Sequence, residues 1–242
     1  MKDIQLLKDD NHYYGKVGKK YLSNSAIGTL LDNPKEFGKD REDDKNLLIG
    51  RYFHKSILEP QKALEMEVVD ASSRNTNIYK DAVKDSKEDM LLLLSEKEET
   101  DRLVKTLQGN LNVYDMVYDI QNDYEVPAIG EVCGRMFKGK ADIVCNDMLI
   151  DLKTTSKISD FRWSAKKYNY DSQAYIYQEL FGKPLVFVVI EKGSGMMGVY
   201  TTSDEFILAG KYKVERGMAV YDKFFGESPT HNINDYVIQE EL

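Results

Sequence analysis

The spacing of apolar residues changes along the chain and divides it into three regions. Up to about residue 121, most apolar positions recur at helical spacing between polar stretches. Ser23 or Asn24 caps the first predicted helix, Asn33-Pro34 ends it, and Pro60 ends the second. The predicted helices lie within Tyr21–Phe37, Asn46–Glu59, Ser95–Gln108 and Val113–Gln121, with a strand at Ala63–Val69 and a polar loop containing a helical turn at Ala71–Asp89.

The centre of the chain alternates apolar and polar residues as strands do. Gly134 and the pair Asn146-Asp147 have the residue types of tight turns between antiparallel strands. The predicted strands are Tyr124–Val132, Arg135–Cys145 and Met148–Thr154.

The last third returns to helical spacing around one continuous apolar run, Leu185–Ile190. Such a run is typical of a strand buried on both faces. The other predicted elements are helices at Asp160–Tyr168 and Asp171–Leu180, a strand at Met196–Thr202 and a helix from the cap Ser203 to about Phe225. The order of elements predicts an α/β arrangement with a mixed central sheet flanked by helices.

Composition indicates an ordinary soluble protein, with 42% hydrophobic and 31% charged residues. We expect one domain over residues 1–242, with core elements at about 46–60 and 124–225 and a helical insertion at about 71–121. No apolar run reaches the length of a membrane span, and the first residues lack a secretion signal, so we expect a cytoplasmic protein. The net charge of −8 argues against a generally basic surface, although a local basic groove remains compatible with it.

Cysteine and histidine are too sparse for the common metal motifs. Cys133 directly follows one predicted strand and Cys145 ends another, and both are expected to be small buried residues. Two cysteines cannot hold an iron–sulfur cluster, and the three isolated histidines lack zinc-site spacing.

The strongest chemical signal comes from Asp142 and the sequence Asp151-Leu-Lys153. Residues i and i+2 of a strand share a face, so Asp151 and Lys153 project together. The turn at Asn146-Asp147 folds the strand of Asp142 back against that of Asp151. The two carboxylates and the backbone carbonyl of Leu152 would then form a hard oxygen site for Mg²⁺ or Mn²⁺.

The alternative is an ion pair on a solvent-facing strand, because Asp-x-Lys alone is a very short motif. The apolar residues Leu149, Ile150 and Leu152 around these charges favour the metal site, since burying charges without partners is costly. Glu131 on the preceding strand is a further candidate ligand, with an exposed strand residue as the alternative.

Several segments together resemble the PD-(D/E)XK nuclease superfamily, and within it the RecE-type phage exonucleases (exodeoxyribonuclease VIII) and their RecB-like relatives. The matching segments, in order, are Ser23–Pro34, Gly50-Arg-Tyr-Phe-His54 with Ile57-Leu-Glu-Pro60, Lys140-Ala-Asp142, Leu149-Ile-Asp-Leu-Lys-Thr-Thr155 and Gln173-Ala-Tyr-Ile-Tyr177. Ala141 stands where the superfamily name has proline, a departure that RecB-like members often share.

The resemblance implies a restriction-endonuclease-like fold and assigns roles by position. His54, Asp142 and Asp151 would bind the metal, Lys153 would be the catalytic lysine, and the absent side chain at Gly50 would leave room for substrate above His54. Gln173 and Tyr177, one helical turn apart, would orient the site or touch DNA. The alternatives are a buried core histidine at position 54 and ordinary helix packing at 173 and 177.

The resemblance also implies a function: Mg²⁺-dependent exonuclease activity on linear double-stranded DNA in phage-type recombination. It further implies a ring-shaped homo-oligomer, trimeric or tetrameric, and a single-strand annealing protein as partner. Two alternatives stay open, an endonuclease of the same superfamily and a catalytically silent DNA-binding module.

Basic and aromatic residues alternate near the predicted site, as in grooves that follow a phosphate backbone and stack bases. A solvated helix face explains the same pattern. These residues are Lys138, Lys140, Lys157, Arg162, Trp163, Lys166, Lys167 and Tyr168.

Overall fold

A computed structural model describes residues 2–39 and 44–238. The α-helices are α1 Lys2–Leu6, α2 Asp10–Tyr14, α3 Asn24–Asp32, α4 Lys45–Leu58, α5 Pro60–Leu64, α6 Asn77–Asp85, α7 Leu94–Gln108, α8 Leu111–Val117, α9 Phe161–Lys167, α10 Tyr170–Phe181 and α11 Asp204–Phe224. The strands are β1 Val68–Val69, β2 Leu92–Leu93, β3 Asp123–Val132, β4 Arg135–Val144, β5 Leu149–Thr155, β6 Leu185–Glu191 and β7 Met197–Thr201.

The main sheet has five strands in the order β3-β4-β5-β6-β7. β5 and β6 are parallel, and every other neighbouring pair is antiparallel. β3, β4 and β5 form a meander, whereas α9 and α10 connect β5 to β6, as a parallel pair requires. The predicted mixed sheet flanked by helices is therefore confirmed. β1 and β2 form a separate parallel pair.

Two short turns set the register of the meander. Cys133 and Gly134 connect β3 to β4 with φ of 50° and 74°, the positive angles of a type I′ hairpin turn. At the Asn146-Asp147 turn, the Cys145 N–H donates to the Met148 carbonyl at 2.9 Å. Both predicted hairpins are present. Cys133 is exposed and Cys145 only partly buried, so the prediction of two buried cysteines is wrong, because residues of a hairpin turn protrude beyond the sheet.

The sheet is covered on both faces, and β6 shows this best. Phe187 and Val189 belong to the apolar cluster beneath α3, α9, α10 and α11, whereas Val188 and Ile190 belong to the cluster beneath α4, α7 and α8. Alternate residues of β6 thus enter opposite cores, which explains the continuous apolar run of this strand.

The region before the meander contains the largest departures from the sequence prediction. The predicted strand Ala63–Val69 is wrong over its first half, because Pro60 starts a new helix, α5, and only Val68–Val69 is a strand. Proline suits a first helical position, since its φ is already fixed at a helical value. The helical turn expected within 71–89 is the full helix α6, capped by the Thr76 hydroxyl.

The first twenty residues carry helices that the apolar pattern did not predict. α1 and α2 are short, yet Leu7 between them is fully buried. The Tyr21 hydroxyl donates to Asp3 at 2.8 Å and joins this segment to the following chain. None of the described helices is both long and apolar enough to cross a membrane.

Candidate active site

Asp142 lies where β4 and β5 stop pairing. Their ladder ends at the pair Ile143 and Ile150, so Asp142 and Asp151 would be the next opposed residues. Instead of a backbone pair, Asp142 Oδ2 accepts the Leu152 N–H at 2.8 Å. The alternation of β4 also breaks here, since Ala141 and Ile143 pack into opposite cores. The strands therefore part around a buried carboxylate.

The carbonyl of Leu152 is placed by the same contact. In a strand, the N–H and C=O of one residue point to the same edge. Because the Leu152 N–H meets Asp142, its carbonyl also faces the gap between β4 and β5. A role for this carbonyl as a metal ligand stays a prediction.

His54 reaches the gap from α4, on one side of the sheet. This helix begins at the cap Asp44, whose carboxylate accepts two backbone N–H groups, and it buries Phe53 and Ile57 in the core. His54 Nδ1 lies 3.2 Å from Asp142 Oδ2. A Cβ at Gly50, one turn earlier, would meet open space, as expected if substrate is to approach above His54.

Asp151 and Lys153 project together, as the strand period predicts, and meet α10 on the other side of the sheet. Lys153 Nζ contacts Asp151 Oδ2, and Gln173 Nε2 donates to Asp151 Oδ1 at 2.6 Å. Lys153 Nζ also lies 4.9 Å from the centre of the Tyr170 ring. The buried Asp151 Oδ2 thus has the Lys153 ammonium as its neighbour.

Tyr177 supports the backbone of β4. Its hydroxyl donates to the Lys140 carbonyl at 2.9 Å, two residues before Asp142. Both Tyr177 and Gln173 are buried, at 9% exposure each. Of the two suggested roles, positioning the site therefore agrees with their surroundings better than contact with DNA.

The charges of this group are coupled. Burial raises the pKa of Asp151, and the Asp142 charge adds to that effect against the opposing effect of Lys153. Burial also disfavours ionised Asp142, but His54 beside it holds the pKa of Asp142 below its ordinary value. Conversely, burial works against protonated His54 and charged Lys153, yet their carboxylate neighbours raise the pKa of both. A cation at Asp142 would compete with the proton on His54.

Glu125, which the sequence pattern did not single out, lies in one group with His54 and Asp142, and this group does not include Asp151. One ligand atom each from His54, Glu125 and Asp142 lie within 4.8 Å of one another. The β3–β4 hairpin could have identified Glu125. Val132 pairs with Arg135, and counting back from this pair along both strands places Glu125 opposite Asp142. Glu131, the strand carboxylate named as a candidate, is exposed and opposite Met136, so it is not part of this group.

These side chains fit a divalent cation. They offer one imidazole and several carboxylates, of which those of Asp142 and Asp151 are buried. Hard oxygen donors with a single imidazole suit a small divalent ion better than a soft metal. The part of the chain that the structure describes thus contains a group of acidic and histidine side chains able to hold a metal.

The basic residues near the centre fall into two sets. Lys138 and Lys140 do not line an open groove, because both are covered by the N-terminal segment: Lys138 Nζ donates to the Tyr13 carbonyl, and Lys140 pairs with Asp10. The other set surrounds α9, where Trp163 is 79% exposed. Its further members are Lys157, Arg162, Lys166, Lys167 and Tyr168.

The mixed sheet and the Asp142, Asp151 and Lys153 arrangement define the PD-(D/E)XK class of nuclease folds. Within that class, the chain belongs to the family described as "PDDEXK-like domain of unknown function (DUF3799)", whose model matches residues 24–229. The predicted fold and superfamily are thereby confirmed. Comparison with curated proteins gave no match.

A solved structure shows the same fold. A crystal structure from Eubacterium rectale, named "Putative exonuclease", aligns with a TM-score of 0.65 at 16% identity, covering 97% of this chain and 95% of that one. The crystal structure of SSO0001 is also 16% identical, and its alignment covers 86% of this chain and 88% of the SSO0001 chain. Its TM-score of 0.33 is too low for a conclusion about the fold.

Proposed function

We propose that this protein is a metal-dependent exodeoxyribonuclease that hydrolyses phosphodiester bonds of linear double-stranded DNA. The observation that carries the proposal is the break in the sheet, where Asp142 pairs with His54 and the opposed Asp151 pairs with Lys153. A surface ion pair would need neither the burial of both carboxylates nor a histidine from a separate helix.

The side chains divide into ligands and a cationic group. His54, Asp142, Asp151 and the Leu152 carbonyl would hold Mg²⁺, or Mn²⁺ in its place. Bound there, the ion supplies a Lewis acid for the scissile phosphate and lowers the pKa of a bound water. Lys153 stays protonated because Asp151 raises its pKa, so it acts as a hydrogen-bond donor. It would orient the attacking water and stabilise negative charge that develops on the phosphate.

Gln173 and Tyr177 hold this arrangement from α10. Gln173 fixes one oxygen of Asp151 and leaves the other toward Lys153. Tyr177 fixes the strand that carries Asp142. Partners that orient metal ligands in this way typically change metal affinity or activity by about 10–100-fold when they are removed.

The exposed side chains around α9 suit the DNA backbone. Trp163 and Tyr168 offer aromatic faces to bases, and the neighbouring lysines and arginine offer charge to phosphates. These residues follow β5, which carries Asp151 and Lys153. A DNA strand bound along α9 would therefore lead toward the candidate metal site.

The exonuclease assignment rests on the resemblance to RecE-type enzymes, which also supports a role in phage-type recombination. The same resemblance suggests a ring-shaped trimer or tetramer and a single-strand annealing protein as partner. An endonuclease of the same superfamily is the second candidate, because the residues at the centre suit either type of cutting.

The test compares linear duplex DNA with the same DNA as a covalently closed circle, both with Mg²⁺. We expect the linear form to be degraded and the circle to persist. Equal cutting of both would contradict the exonuclease proposal and favour the endonuclease. Calorimetric titration with Mn²⁺ tests the remaining alternative, a catalytically silent DNA-binding module, which should bind no ion.

A further inference from the structure

Glu125 adopts a backbone conformation that is unusual inside a strand. Its φ is 51°, although Tyr124 and Val126 on either side pair normally with β4. Among the described residues, the other non-glycine residues with positive φ are Cys133 in a hairpin turn and Asn169 before α10. Left-handed backbone is unfavourable for a residue with a Cβ, and asparagine tolerates it better than glutamate. Glu125 therefore holds this conformation against its local preference.

The conformation brings the Glu125 side chain to the candidate metal group. A regular strand would pair Glu125 with Asp142 through the backbone, but this pair is missing from the ladder. Instead, ligand atoms of Glu125, Asp142 and His54 gather within 4.8 Å. Two carboxylates this close repel each other, and a cation bound beside both would relieve that repulsion.

A second feature, an ion pair with Lys140, restrains the Glu125 carboxylate. Lys140 Nζ lies 3.0 Å from Glu125 Oε2 and 2.5 Å from Asp10 Oδ1. The Lys140 side chain is only 10% exposed. Its ammonium therefore bridges Glu125 to Asp10, with little water to compete.

Asp10 has one further ionic contact, and its helix also packs against Lys140. Its other oxygen, Oδ2, lies 3.9 Å from Lys55 Nζ on α4, the helix that carries His54. Tyr13 on the same short helix lies against Lys140, with 5.1 Å from the ammonium to the ring centre. The segment that supplies Asp10 precedes the family match, which begins at residue 24.

We propose that Glu125 is a further ligand of the cation site, and that Asp10, acting through Lys140, is the positioning residue that holds the Glu125 carboxylate there. This inference rests on the proposed function. It gives the N-terminal segment a defined part in the site: it sets the direction of a ligand that otherwise sits on a strained strand.

The experiment measures Mn²⁺ affinity by calorimetry and melting temperature without metal, both in the absence of DNA. Glu125→Gln keeps an oxygen for Lys140 but removes the charge that would bind the ion. We expect its Mn²⁺ affinity to fall by about 10–100-fold, with a melting temperature equal to or above wild type. Asp123→Asn, an exposed carboxylate on the same strand, is the matched control and should leave both quantities unchanged.

Asp10 is tested by the pair Asp10→Asn and Asp10→Glu. We expect Asp10→Asn to weaken Mn²⁺ binding by up to about 10-fold and Asp10→Glu to recover most of that loss. Asp9→Asn removes a neighbouring charge but keeps a good helix cap, so it should match wild type. Should Asp10→Asn unfold, Lys140→Gln tests the same link and should lower the affinity in the same way.

The outcomes separate this inference from the proposed function. Wild-type Mn²⁺ affinity in folded Glu125→Gln would overturn the ligand role, and a lowered melting temperature with unchanged affinity in Asp10→Asn would overturn the positioning role. A wild-type protein that binds no Mn²⁺ and cuts no DNA would instead overturn the proposed function itself.

Discussion

Replacing Gln173 by alanine tests whether α10 orients the candidate metal ligand Asp151. The Gln173 amide donates to Asp151 Oδ1 at 2.6 Å, and the two side chains are 9% and 2% exposed. Water therefore has little access to take the place of the amide. The substitution leaves a buried carboxylate oxygen without this donor and raises the pKa of Asp151 further above its ordinary value.

The expected cost follows from two independent magnitudes. Removing one partner of a buried hydrogen bond to a charged group costs about 1.5–3 kcal/mol of stability. Loss of a residue that orients a metal ligand lowers activity by about 10–100-fold, which corresponds to about 1.4–2.7 kcal/mol of activation free energy. We therefore expect Gln173→Ala to lose stability and cleavage rate by similar free energies.

Two assays measure these quantities. Urea denaturation without metal gives the free energy of unfolding, and single-turnover cleavage of end-labelled duplex DNA over a range of Mg²⁺ gives the rate. Gln178→Ala, on an exposed position of the same helix, is the control and should behave as wild type. The reasoning is refuted if Gln173→Ala loses stability but cleaves DNA at the wild-type rate, since Gln173 would then only pack.

Three further predictions concern Lys153, Lys138 and the pair of Arg74 and Glu96. Lys153→Met removes the buried donor beside Asp151 and should lower the cleavage rate by at least about 100-fold with an unchanged circular dichroism spectrum; cleavage within a few-fold of wild type would exclude its catalytic role. Burial lowers the pKa of Lys138 from 10.5 to about 8. Because the unfolded chain then keeps this proton to a higher pH than the folded protein does, the free energy of unfolding should rise between pH 8 and pH 10.5, by at most about 3 kcal/mol. Lys138→Met should lack that rise in urea titrations at pH 8 and 10, and an identical pH dependence in both proteins would contradict the assignment. Arg74 donates to both oxygens of the buried Glu96 at 2.6 and 2.8 Å, so Glu96→Gln should lower the free energy of unfolding by about 3 kcal/mol; a loss below about 1 kcal/mol would show that the pair contributes as little as a surface ion pair.

The relative positions of Asp142, Asp151 and Lys153 were predictable because they follow from local rules. Strand periodicity places Asp151 and Lys153 together, and a two-residue turn fixes which residues oppose each other across a hairpin. The same counting across the turn at Gly134 would have found Glu125. Its left-handed backbone could not have been predicted, because nothing in the residues around it favours that conformation.

Long-range contacts explain why the prediction for Lys138 and Lys140 was wrong. Both lysines alternate with aromatic and small residues as an exposed basic strand would. Their partners, Tyr13 and Asp10, lie more than 120 residues earlier in helices too short for apolar periodicity to reveal. The division of the chain into a core and an insertion at about 71–121 stays a prediction.

Dependence of DNA cleavage on a divalent ion held by Asp142 tests the central claim most directly. The measurement is single-turnover hydrolysis of end-labelled linear duplex by wild type and Asp142→Asn, with Mg²⁺, with EDTA, and with Mg²⁺ restored. We predict rapid hydrolysis by wild type with Mg²⁺, loss in EDTA and recovery when Mg²⁺ returns, and no hydrolysis by the folded Asp142→Asn variant. Wild-type cleavage in EDTA, or equal cleavage by the variant, would contradict a metal-dependent nuclease at this site.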